Sequence, residues 1–410
     1  MLLFTACWHD KQQQPISTAA QVITTQIVSE SPLYPEVKKA IDLIQMRFAP
    51  DKRTELFLME TVQLNDSLLV SVEVGQSAAK QALDSLAATL TVPVRLHTTL
   101  LPDASVGNQH KAVVNVSVCN IRTRPEHPAE LATQALMGMP LQVWKKKGNW
   151  YLVQTPDRYL GWVDGSSIKL MNASAFDRWQ AQPKAIFTPI FGMAYAKPDA
   201  TSATIADLVA GCIVIMRQPR NGFTWIGFPD GREAYVPAQQ LQSLDKWMET
   251  TQPTPANLVS TARSMLGIPY LWGGTSVKGM DCSGFTKTVY WLNGLIIPRD
   301  ASQQVWAGKE IDSKRDFGKL QPGDLLFFGK AATDSTPEKV VHVGMWIGNG
   351  EFIHASGMIR ISSMNPQAPN FDRYEYTRYL RAKRLLNVSS DKYLIAPTQV
   401  FSKTSSLSQR

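Results

Sequence analysis

One cysteine in the last third of the chain has surroundings that suit nucleophilic catalysis. Cys282 lies in DCSGFTKTVYWL (281–292), where Asp281 is a good N-cap and the following residues favour a helix. Cys282 would then occupy the first helical turn, where unpaired N–H groups and the helix dipole favour a thiolate. A thiolate can attack an amide carbonyl, and N–H groups of the same turn can stabilise the oxyanion. A lone cysteine at a helix start is nevertheless more often a buried structural residue.

Two of the six histidines follow Cys282 and strengthen the catalytic interpretation. His342 and His354 lie in VVHVGMWIGNGEFIHASG, whose alternation predicts a β-hairpin that turns at residues 348–350. A three-residue loop would place Gly344 opposite His354 and His342 diagonally on the same face, within reach of the second ring. A two-residue loop would place the two histidines on opposite faces, so the geometry of the turn decides.

These residues predict the roles of a thiol hydrolase. His342 is expected to take the proton of Cys282 and to protonate the leaving amine, while His354 holds the His342 ring in the correct tautomer. The alternative is that each histidine is an ordinary hydrogen-bonded strand residue. The occurrence of two histidines and a helix-capped cysteine in one domain disfavours that alternative. This chemistry requires no metal or cofactor, and none is predicted.

Five motifs in the same order resemble the NlpC/p60 family over about residues 255–385. They are PYLWGG (269–274), DCSGF (281–285), PRDASQQ (298–304), QPGDLLFF (321–328) and the HVGMWIG…FIHASG hairpin. The resemblance implies a papain-like fold in which a cysteine is followed by a histidine and a third polar residue. It also implies hydrolysis of amide bonds in peptidoglycan stem peptides.

A more specific resemblance covers most of the chain. The sequence is similar to the YkfC-like γ-D-glutamyl-L-diamino acid endopeptidases, which carry two bacterial SH3-like domains before the peptidase. The resemblance implies that an acid and a tyrosine from the first SH3-like domain, with the Asp beside the nucleophile, hold the free amino end of L-Ala. The matching residues are Glu130 in RPEHPAELATQALMG, Tyr159 in DRYLGWV, and Asp281.

Three further substrate contacts follow from the same resemblance. Tyr270 and Ser283 match positions that contact the L-Ala-γ-D-Glu part of the substrate, and Ser302 in RDASQQ matches another polar contact. The remaining motif residues have simpler interpretations. Trp272 and Trp346 are predicted to be packing residues rather than platforms for sugars.

The implied amino-end pocket is physically reasonable. A buried ammonium needs compensating negative charge, which Glu130 and Asp281 can supply together with the Tyr159 phenol. Such a site would reject a stem peptide whose L-Ala is still bonded to muramic acid, because that peptide has no ammonium. Simpler interpretations remain: Glu130 as a surface residue, Tyr159 as a packing residue and Asp281 only as a helix cap.

The chain is long enough for several domains, and we predict a multidomain α+β protein. Two segments, 148–168 and 221–241, share an aromatic after a glycine turn, a Pro-Asp turn and an aromatic strand, which indicates two copies of a small barrel. The papain-like NlpC/p60 domain is preceded by two SH3-like β-barrels and a small N-terminal α+β module. The predicted limits are 1–30 (signal remnant and linker), 31–102 (α+β module), 103–172 and 183–246 (SH3-like domains), 255–387 (peptidase) and 388–410 (flexible tail).

The net charge of +8 arises from 42 basic and 34 acidic residues. The densest basic run, Lys145-Lys146-Lys147, is predicted to be a solvated turn. No basic stripe alternates with aromatic residues, so a nucleic-acid partner is not expected. A mild basic excess suits a protein that works near an anionic envelope polymer.

The N-terminus, MLLFTACWHDKQQQ, resembles the end of a bacterial lipoprotein signal with Cys7 as the lipidated residue. The basic start and most of the apolar region are missing, so two interpretations stay open: a lipid anchor through Cys7, or an ordinary terminus with a free cysteine. No run of about 18 apolar residues predicts a spanning helix. We expect a monomer in the periplasmic part of the bacterial cell envelope.

The sequence therefore favours hydrolysis of the γ-D-glutamyl–diamino acid bond in murein-derived peptides with a free N-terminal L-Ala, as in recycling of cell-wall peptides. Two alternatives are retained. One is an endopeptidase that remodels intact peptidoglycan, and the other is a wall-binding protein that uses its SH3-like modules. The set of Cys282, His342 and His354 argues against the purely binding alternative.

Overall fold

The computed structural model describes residues 34–64, 67–90, 93–388 and 390–402. The predicted signal remnant, including Cys7, lies outside the described residues. Within these ranges no helix combines the length and apolar composition needed to cross a bilayer.

The N-terminal module is a three-stranded sheet covered by two helices. Its elements are α1 Tyr34–Phe48, β1 Phe57–Leu64, β2 Ser67–Val74, α2 Ser77–Thr89 and β3 Val94–Leu100. The central strand β2 pairs antiparallel with β1 and parallel with β3, because α2 provides the crossover between β2 and β3. Alternate residues of β2 are buried, and Ile41 of α1 and Leu83 of α2 pack on that face.

Two seven-stranded antiparallel sheets follow, joined by α3 Ala173–Ala181. The first contains β4 Lys111–Val114, β5 Val118–Arg122, β6 Leu131–Leu136, β7 Pro140–Lys147, β8 Trp150–Gln154, β9 Leu160–Asp164 and β10 Ile168–Met171. The second contains β11 Lys184–Phe187, β12 Phe191–Tyr195, β13 Thr204–Val209, β14 Ile213–Arg220, β15 Phe223–Gly227, β16 Glu233–Pro237 and β17 Leu241–Ser243.

The two sheets have the same strand order. From one edge to the other, the first runs β10-β4-β7-β8-β9-β5-β6 and the second runs β17-β11-β14-β15-β16-β12-β13. When the strands of each sheet are counted from its own first strand, both orders become seventh, first, fourth, fifth, sixth, second, third. This shared topology agrees with the internal repeat seen in the sequence. Cys119, within β5, and Cys212, between β13 and β14, are buried free thiols.

The last part of the chain contains a six-stranded antiparallel sheet and a helix that packs on it. Its elements are α4 Leu244–Thr250, α5 Pro255–Arg263, β18 Thr275–Ser276, β19 Gly279–Met280, α6 Cys282–Leu292, α7 Ala301–Gln304, β20 Lys309–Asp312, β21 Leu325–Lys330, β22 Lys339–Gly348, β23 Glu351–Ser356, β24 Met358–Ser363, α8 Arg373–Arg378, β25 Tyr379–Arg384 and α9 Thr398–Phe401. The large sheet has the order β20-β25-β21-β22-β23-β24.

Helix α6 is buried along most of its length, with nine of its eleven residues inaccessible to solvent. Phe285 and Val289 pack into the core of the large sheet. Trp291, near the other end, belongs to the core of the second seven-stranded sheet, where its ring lies 5.2 Å from that of Trp247. An apolar helix surface is stable here because different parts of it face two different cores.

The prediction of a flexible tail from residue 388 is wrong for residues 390–402. Ile395 exchanges backbone hydrogen bonds with Ile296, and Phe401 is 5% exposed with its ring 6.1 Å from that of Trp291. The Ser/Thr-rich composition suggested a solvated tail, but these apolar side chains bury enough surface to fix the segment. The rest of the predicted tail, 403–410, lies outside the described residues.

Candidate active site

The nucleophile candidate is positioned by the start of α6. The helix begins at Cys282, and the Asp281 carboxylate accepts a hydrogen bond from the Gly284 N–H at 2.7 Å. Asp281 is therefore the N-cap, as predicted. Cys282 is 6% exposed. The cap fixes the thiol in the first turn, where free N–H groups are available to an oxyanion.

The Cys282 thiol ionises less readily than its position at the helix start suggested. Burial and the adjacent Asp281 carboxylate raise the pKa of Cys282 to about 12, against the opposing effect of the Val343 backbone N–H and Arg299. The expected thiolate is thus disfavoured in the unliganded site, because desolvation and a like charge outweigh the helix terminus. The contact with Val343 places the thiol against β22, next in sequence to His342.

The two histidines meet as predicted, although by a different turn. His342 Nε2 and His354 Nδ1 are 2.8 Å apart, and the rings are edge-to-face. The hairpin has a two-residue turn at 349–350, not the expected three-residue loop, and a bulge at Ile347 restores the register. Gly344 lies against His354, since a Cβ on Gly344 would come within 3.2 Å of the His354 Cβ.

A chain of hydrogen bonds continues from the histidines to an acid. His354 Nε2 lies 3.0 Å from Ser362 Oγ, and Ser362 Oγ donates to Asp372 Oδ2 at 3.3 Å. Since Ser362 gives its single hydrogen to Asp372, His354 Nε2 must donate to Ser362, and His354 Nδ1 must accept from His342 Nε2. His342 Nδ1 is then unprotonated and is the ring nitrogen able to receive a proton.

Burial keeps both rings neutral. It lowers the pKa of His342 to about 3, reinforced by the charge of a protonated His354 and by Arg378. Burial likewise lowers the pKa of His354 to about 3. A neutral thiol and neutral imidazoles are therefore the favoured resting state of the unliganded site.

Glu375 completes a cluster with metal-ligating side chains. Atoms of His342, His354 and Glu375 all lie within 4.8 Å of one another. Burial raises the pKa of Glu375, although the Arg378 guanidinium opposes it and lies 2.7 Å from both carboxylate oxygens. His342 donates to His354, His354 donates to Ser362, and Glu375 is paired with Arg378, so each group already has a hydrogen-bond partner.

Asp281 differs from the charge donor expected at the amino-end pocket. Arg299 lies 2.6 Å and 3.1 Å from its two oxygens, and the Gly273 N–H donates to Oδ2 at 2.9 Å. The ion pair is buried, with Arg299 only 1% exposed. Ser283 Oγ also accepts from Arg299, at 3.0 Å. Asp281 and Ser283 are thus engaged internally, and the charge of Asp281 is balanced before any substrate binds.

Tyr159 meets a second acid that the sequence interpretation did not select. Its hydroxyl donates to Asp300 Oδ2 at 3.1 Å, linking the first seven-stranded sheet to the segment before α7. Arg53 Nη1, from the N-terminal module, donates to the same oxygen at 2.7 Å and to Ser302 Oγ at 2.9 Å. Tyr159 and Ser302 therefore lie in one cluster around Asp300.

Glu130 and Tyr270 have surroundings different from those of Tyr159 and Ser302. Glu130 is exposed, and its carboxylate accepts from the Trp272 indole N–H at 2.6 Å. Burial raises the pKa of Tyr270, and the negative charges of Cys282 and Asp281 act in the same direction. The phenol therefore lies close enough to sense the nucleophile. Trp272 is 62% exposed, so its prediction as a packing residue is wrong, whereas Trp346 is buried as expected.

Sequence reasoning missed five residues of this site: Arg53, Arg299, Asp300, Ser362 and Asp372. Arg299 and Asp300 belong to the PRDASQQ motif, so their charges within a motif of the peptidase could have identified them as site residues. Ser362 follows the alternation of β24 onto the face of His354. Arg53 had no local signal, because its contacts are about 250 residues away in sequence.

Comparison with known proteins agrees with this geometry. Residues 267–380 match the NlpC/P60 family, and residues 121–168 match the bacterial dipeptidyl-peptidase Sh3 domain. The chain is 33% identical to a gamma-D-glutamyl-L-lysine dipeptidyl-peptidase of Bacillus cereus, over 55% of this chain and 67% of that one. It is 31% identical to dipeptidyl-peptidase 6 of Lysinibacillus sphaericus, over 63% of this chain and 93% of that one.

A solved structure shows the same fold. The crystal structure of an NlpC/P60 family protein from Bacillus cereus has a TM-score of 0.57 and 26% identity, and the match covers 67% of this chain and 99% of that one. A thiol at a helix start, beside a β-hairpin that carries a hydrogen-bonded histidine pair, defines a cysteine peptidase. The chain belongs to the NlpC/P60 family and carries a bacterial SH3 domain before the peptidase, which confirms the predicted family.

Proposed function

We propose that this enzyme hydrolyses the γ-D-glutamyl–diamino acid bond of murein-derived peptides that carry a free N-terminal L-Ala. The observation that supports this proposal most directly is the set of acids at the predicted amino-end pocket, namely Glu130, Asp281 and Asp300. Asp281 is paired with Arg299 and Asp300 with Arg53, which also pairs with Asp51, whereas Glu130 accepts from the neutral Trp272 indole. A cleft with excess negative charge favours an ammonium ligand. The name of the related Bacillus cereus enzyme, a gamma-D-glutamyl-L-lysine dipeptidyl-peptidase, supports the same substrate class.

The proposed mechanism assigns one step to each catalytic residue. Cys282 attacks the γ-carbonyl while His342 Nδ1 takes the thiol proton, and N–H groups of the first turn of α6 stabilise the oxyanion. His342 then protonates the leaving amine, and water hydrolyses the thioester. His354 holds His342 in the tautomer that the hydrogen-bond chain specifies.

The proposed substrate site keeps the predicted residues with one change. Glu130, Tyr159, Tyr270 and Ser302 are proposed to contact the substrate, and Ser283 helps to fix the Arg299 side chain. Asp281 contributes geometry through its bonds to α6 and Arg299, and Asp300 takes its place as the acid beside Tyr159.

We also propose the domain division that the sequence indicated, with the second seven-stranded sheet as a second SH3-like domain. Its strand order, identical to that of the first sheet, supports this assignment. A monomer in the periplasmic cell envelope, with or without a lipid on Cys7, completes the proposal. Recycling of released wall peptides is the role that such a substrate requires.

Product analysis by mass spectrometry tests the function. Wild-type protein and Cys282→Ala are incubated with L-Ala-γ-D-Glu-diamino acid peptides whose amino end is free or acetylated. We expect release of L-Ala-D-Glu from the free peptide by wild type, at least about tenfold less from the acetylated peptide, and none with Cys282→Ala. Digestion of whole sacculi as fast as the free peptide would support the alternative of remodelling intact peptidoglycan.

A further inference from the structure

The N-terminal module lies outside both family matches, 121–168 and 267–380, yet it reaches the cleft. Arg53, in the loop between α1 and β1, donates from Nη1 to Asp300 Oδ2 at 2.7 Å and to Ser302 Oγ at 2.9 Å. Both partners lie in the PRDASQQ motif of the peptidase. A residue from a separate module thus contacts the substrate side of the catalytic domain.

Arg53 is held in place by neighbours rather than left free on the surface. Asp51 grips the other edge of the guanidinium, with Nε and Nη2 each 2.8 Å from its two oxygens. Asp51 also accepts from the Gln303 amide at 2.7 Å, and the Arg53 carbonyl accepts from the Leu160 N–H at 2.7 Å. A guanidinium fixed by a two-point contact loses little entropy when it orients another carboxylate.

Asp300 joins Arg53 to the proposed amino-end pocket. The Tyr159 hydroxyl donates to the same Oδ2 at 3.1 Å, whereas Arg299 is 3.8 Å from Oδ1. A phenol has one hydrogen, so a Tyr159 that donates to Asp300 presents only oxygen lone pairs to the cleft. In that orientation the Tyr159 oxygen can accept a hydrogen bond from a substrate ammonium. It has no hydrogen to donate to the carbonyl of an acetyl group on the substrate nitrogen.

We propose that Arg53 is a positioning residue for recognition of the free amino end, acting through Asp300 and Tyr159, and that the N-terminal module is thereby part of the substrate site. This inference rests on the proposed function. Arg53 holds Asp300 Oδ2 at Tyr159; without it, Asp300 is free to turn toward Arg299, and Tyr159 and Ser302 each lose a fixed partner. The catalytic residues depend on other contacts, the Asp281 cap and the chain that ends at Asp372.

The test compares Arg53→Gln with wild type on L-Ala-γ-D-Glu-L-Lys, with its amino end free or acetylated. We expect the KM of the free peptide to rise at least about tenfold while kcat stays within about threefold, because ground-state recognition is lost and the chemical step is not. The kcat/KM of the acetylated peptide is expected to change by less than about twofold. Asp51→Asn, which loosens the grip on Arg53, should act in the same direction and more weakly.

Arg158→Ala is the matched control. Arg158 is 60% exposed on its side chain and pairs with Glu55 of the same module segment at 3.4 Å, so its loss perturbs the same docking contact at another point. Its KM for both peptides should match wild type. An increase in KM equal to that of Arg53→Gln would assign the effect to docking of the module and would overturn the proposal.

Each remaining outcome of the experiment also supports or rejects the role of Arg53. An unchanged preference for the free peptide in Arg53→Gln rejects the positioning role, and so does an equal loss on both peptides together with a lower melting temperature. If Arg53→Gln does not fold, Asp51→Asn decides alone, and an unchanged KM there rejects the proposal. If the wild-type enzyme does not prefer the free peptide, the proposed function itself has failed. If the wild-type enzyme does prefer it, a negative result with the variants counts only against the role of Arg53.

Discussion

At the scale of single residues, the direction of each hydrogen bond in the site can be traced from one end. Asp372 accepts, so Ser362 donates to it, His354 donates to Ser362, and His342 donates to His354. Asp372 is kept in this place by the Glu375 N–H, which it caps at 3.0 Å at the start of α8. The tautomer of the proposed base is therefore specified by a helix cap three hydrogen bonds away.

Ser362→Ala should weaken catalysis without touching substrate. His354 Nε2 would lose its acceptor, so the tautomer with a proton on Nδ1 would become accessible, and His342 Nδ1 could no longer serve as base. We expect kcat to fall about tenfold to a hundredfold, below the full contribution of general-base catalysis at about 10²–10⁴, with KM little changed. Steady-state kinetics and histidine ¹⁵N shifts measure this, and Ser362→Thr, which keeps the hydroxyl, is the control. Equal kcat for Ser362→Ala and wild type would contradict the tautomer argument.

The buried histidines also predict how stability depends on pH. An unfolded histidine takes up a proton below about pH 6.5, whereas burial lowers the pKa of His354 to about 3 in the folded chain. The stability due to neutral histidine is thus fully present above that unfolded pKa and is lost as pH falls toward 3. Each such proton changes the free energy of unfolding by about 1.4 kcal/mol per pH unit.

Urea unfolding of wild type and His354→Gln at about pH 7 and about pH 4.5 measures this effect. Wild type should lose more stability between the two pH values than the variant, which has one buried histidine fewer. The variant also lacks the effect of His354 that lowers the pKa of His342, and this change reduces the loss in the variant as well. Equal losses in the two proteins would mean that His354 already binds a proton in the folded state at the lower pH.

At the scale of elements, local patterns predicted the parts of the site that lie within one element or one hairpin. The cap at Asp281 and the pairing of Gly344 with His354 follow from residue types a few positions apart. The predicted turn length was wrong, but the predicted pairing of residues across the hairpin was correct, because a bulge at Ile347 compensates for the shorter loop. A bulge depends on how β22 fits its neighbours, which periodicity does not report.

Contacts between elements distant in sequence could not be predicted in this way. Arg53 with Asp300, and Glu130 with Trp272, arise only when separate modules dock. The same limit explains Trp272: an aromatic residue in an apolar motif suggests packing, yet docking leaves its ring exposed with one polar partner. The ordered segment around Ile395 was not predicted, because its composition resembles that of a solvated tail. Its few apolar residues pack against the core of the second seven-stranded sheet.

At the scale of the whole molecule, the peptidase shares a core with the second seven-stranded sheet. Phe401, Trp291 and Trp247 come from three parts of the chain and pack together in that core with tilted rings. Phe401→Ala should therefore lower the free energy of unfolding by about 3 kcal/mol, with kcat nearly unchanged because the site lies at the other end of α6. Chemical denaturation measures this, with Phe191→Ala as the control, since Phe191 is 55% exposed. A loss as small as that of the control would mean that residues 398–401 do not stabilise the fold.

Helix α6 carries the candidate nucleophile at its first residue and Trp291 at its penultimate residue, inside a neighbouring core. A peptidase excised at residue 254 would therefore expose Trp291 and Ile296, which are 4% exposed in the intact chain. Such an uncovered apolar end favours self-association. For biotechnological use, the peptidase should therefore be kept together with the domains that precede it. A shortened enzyme would be smaller but less soluble.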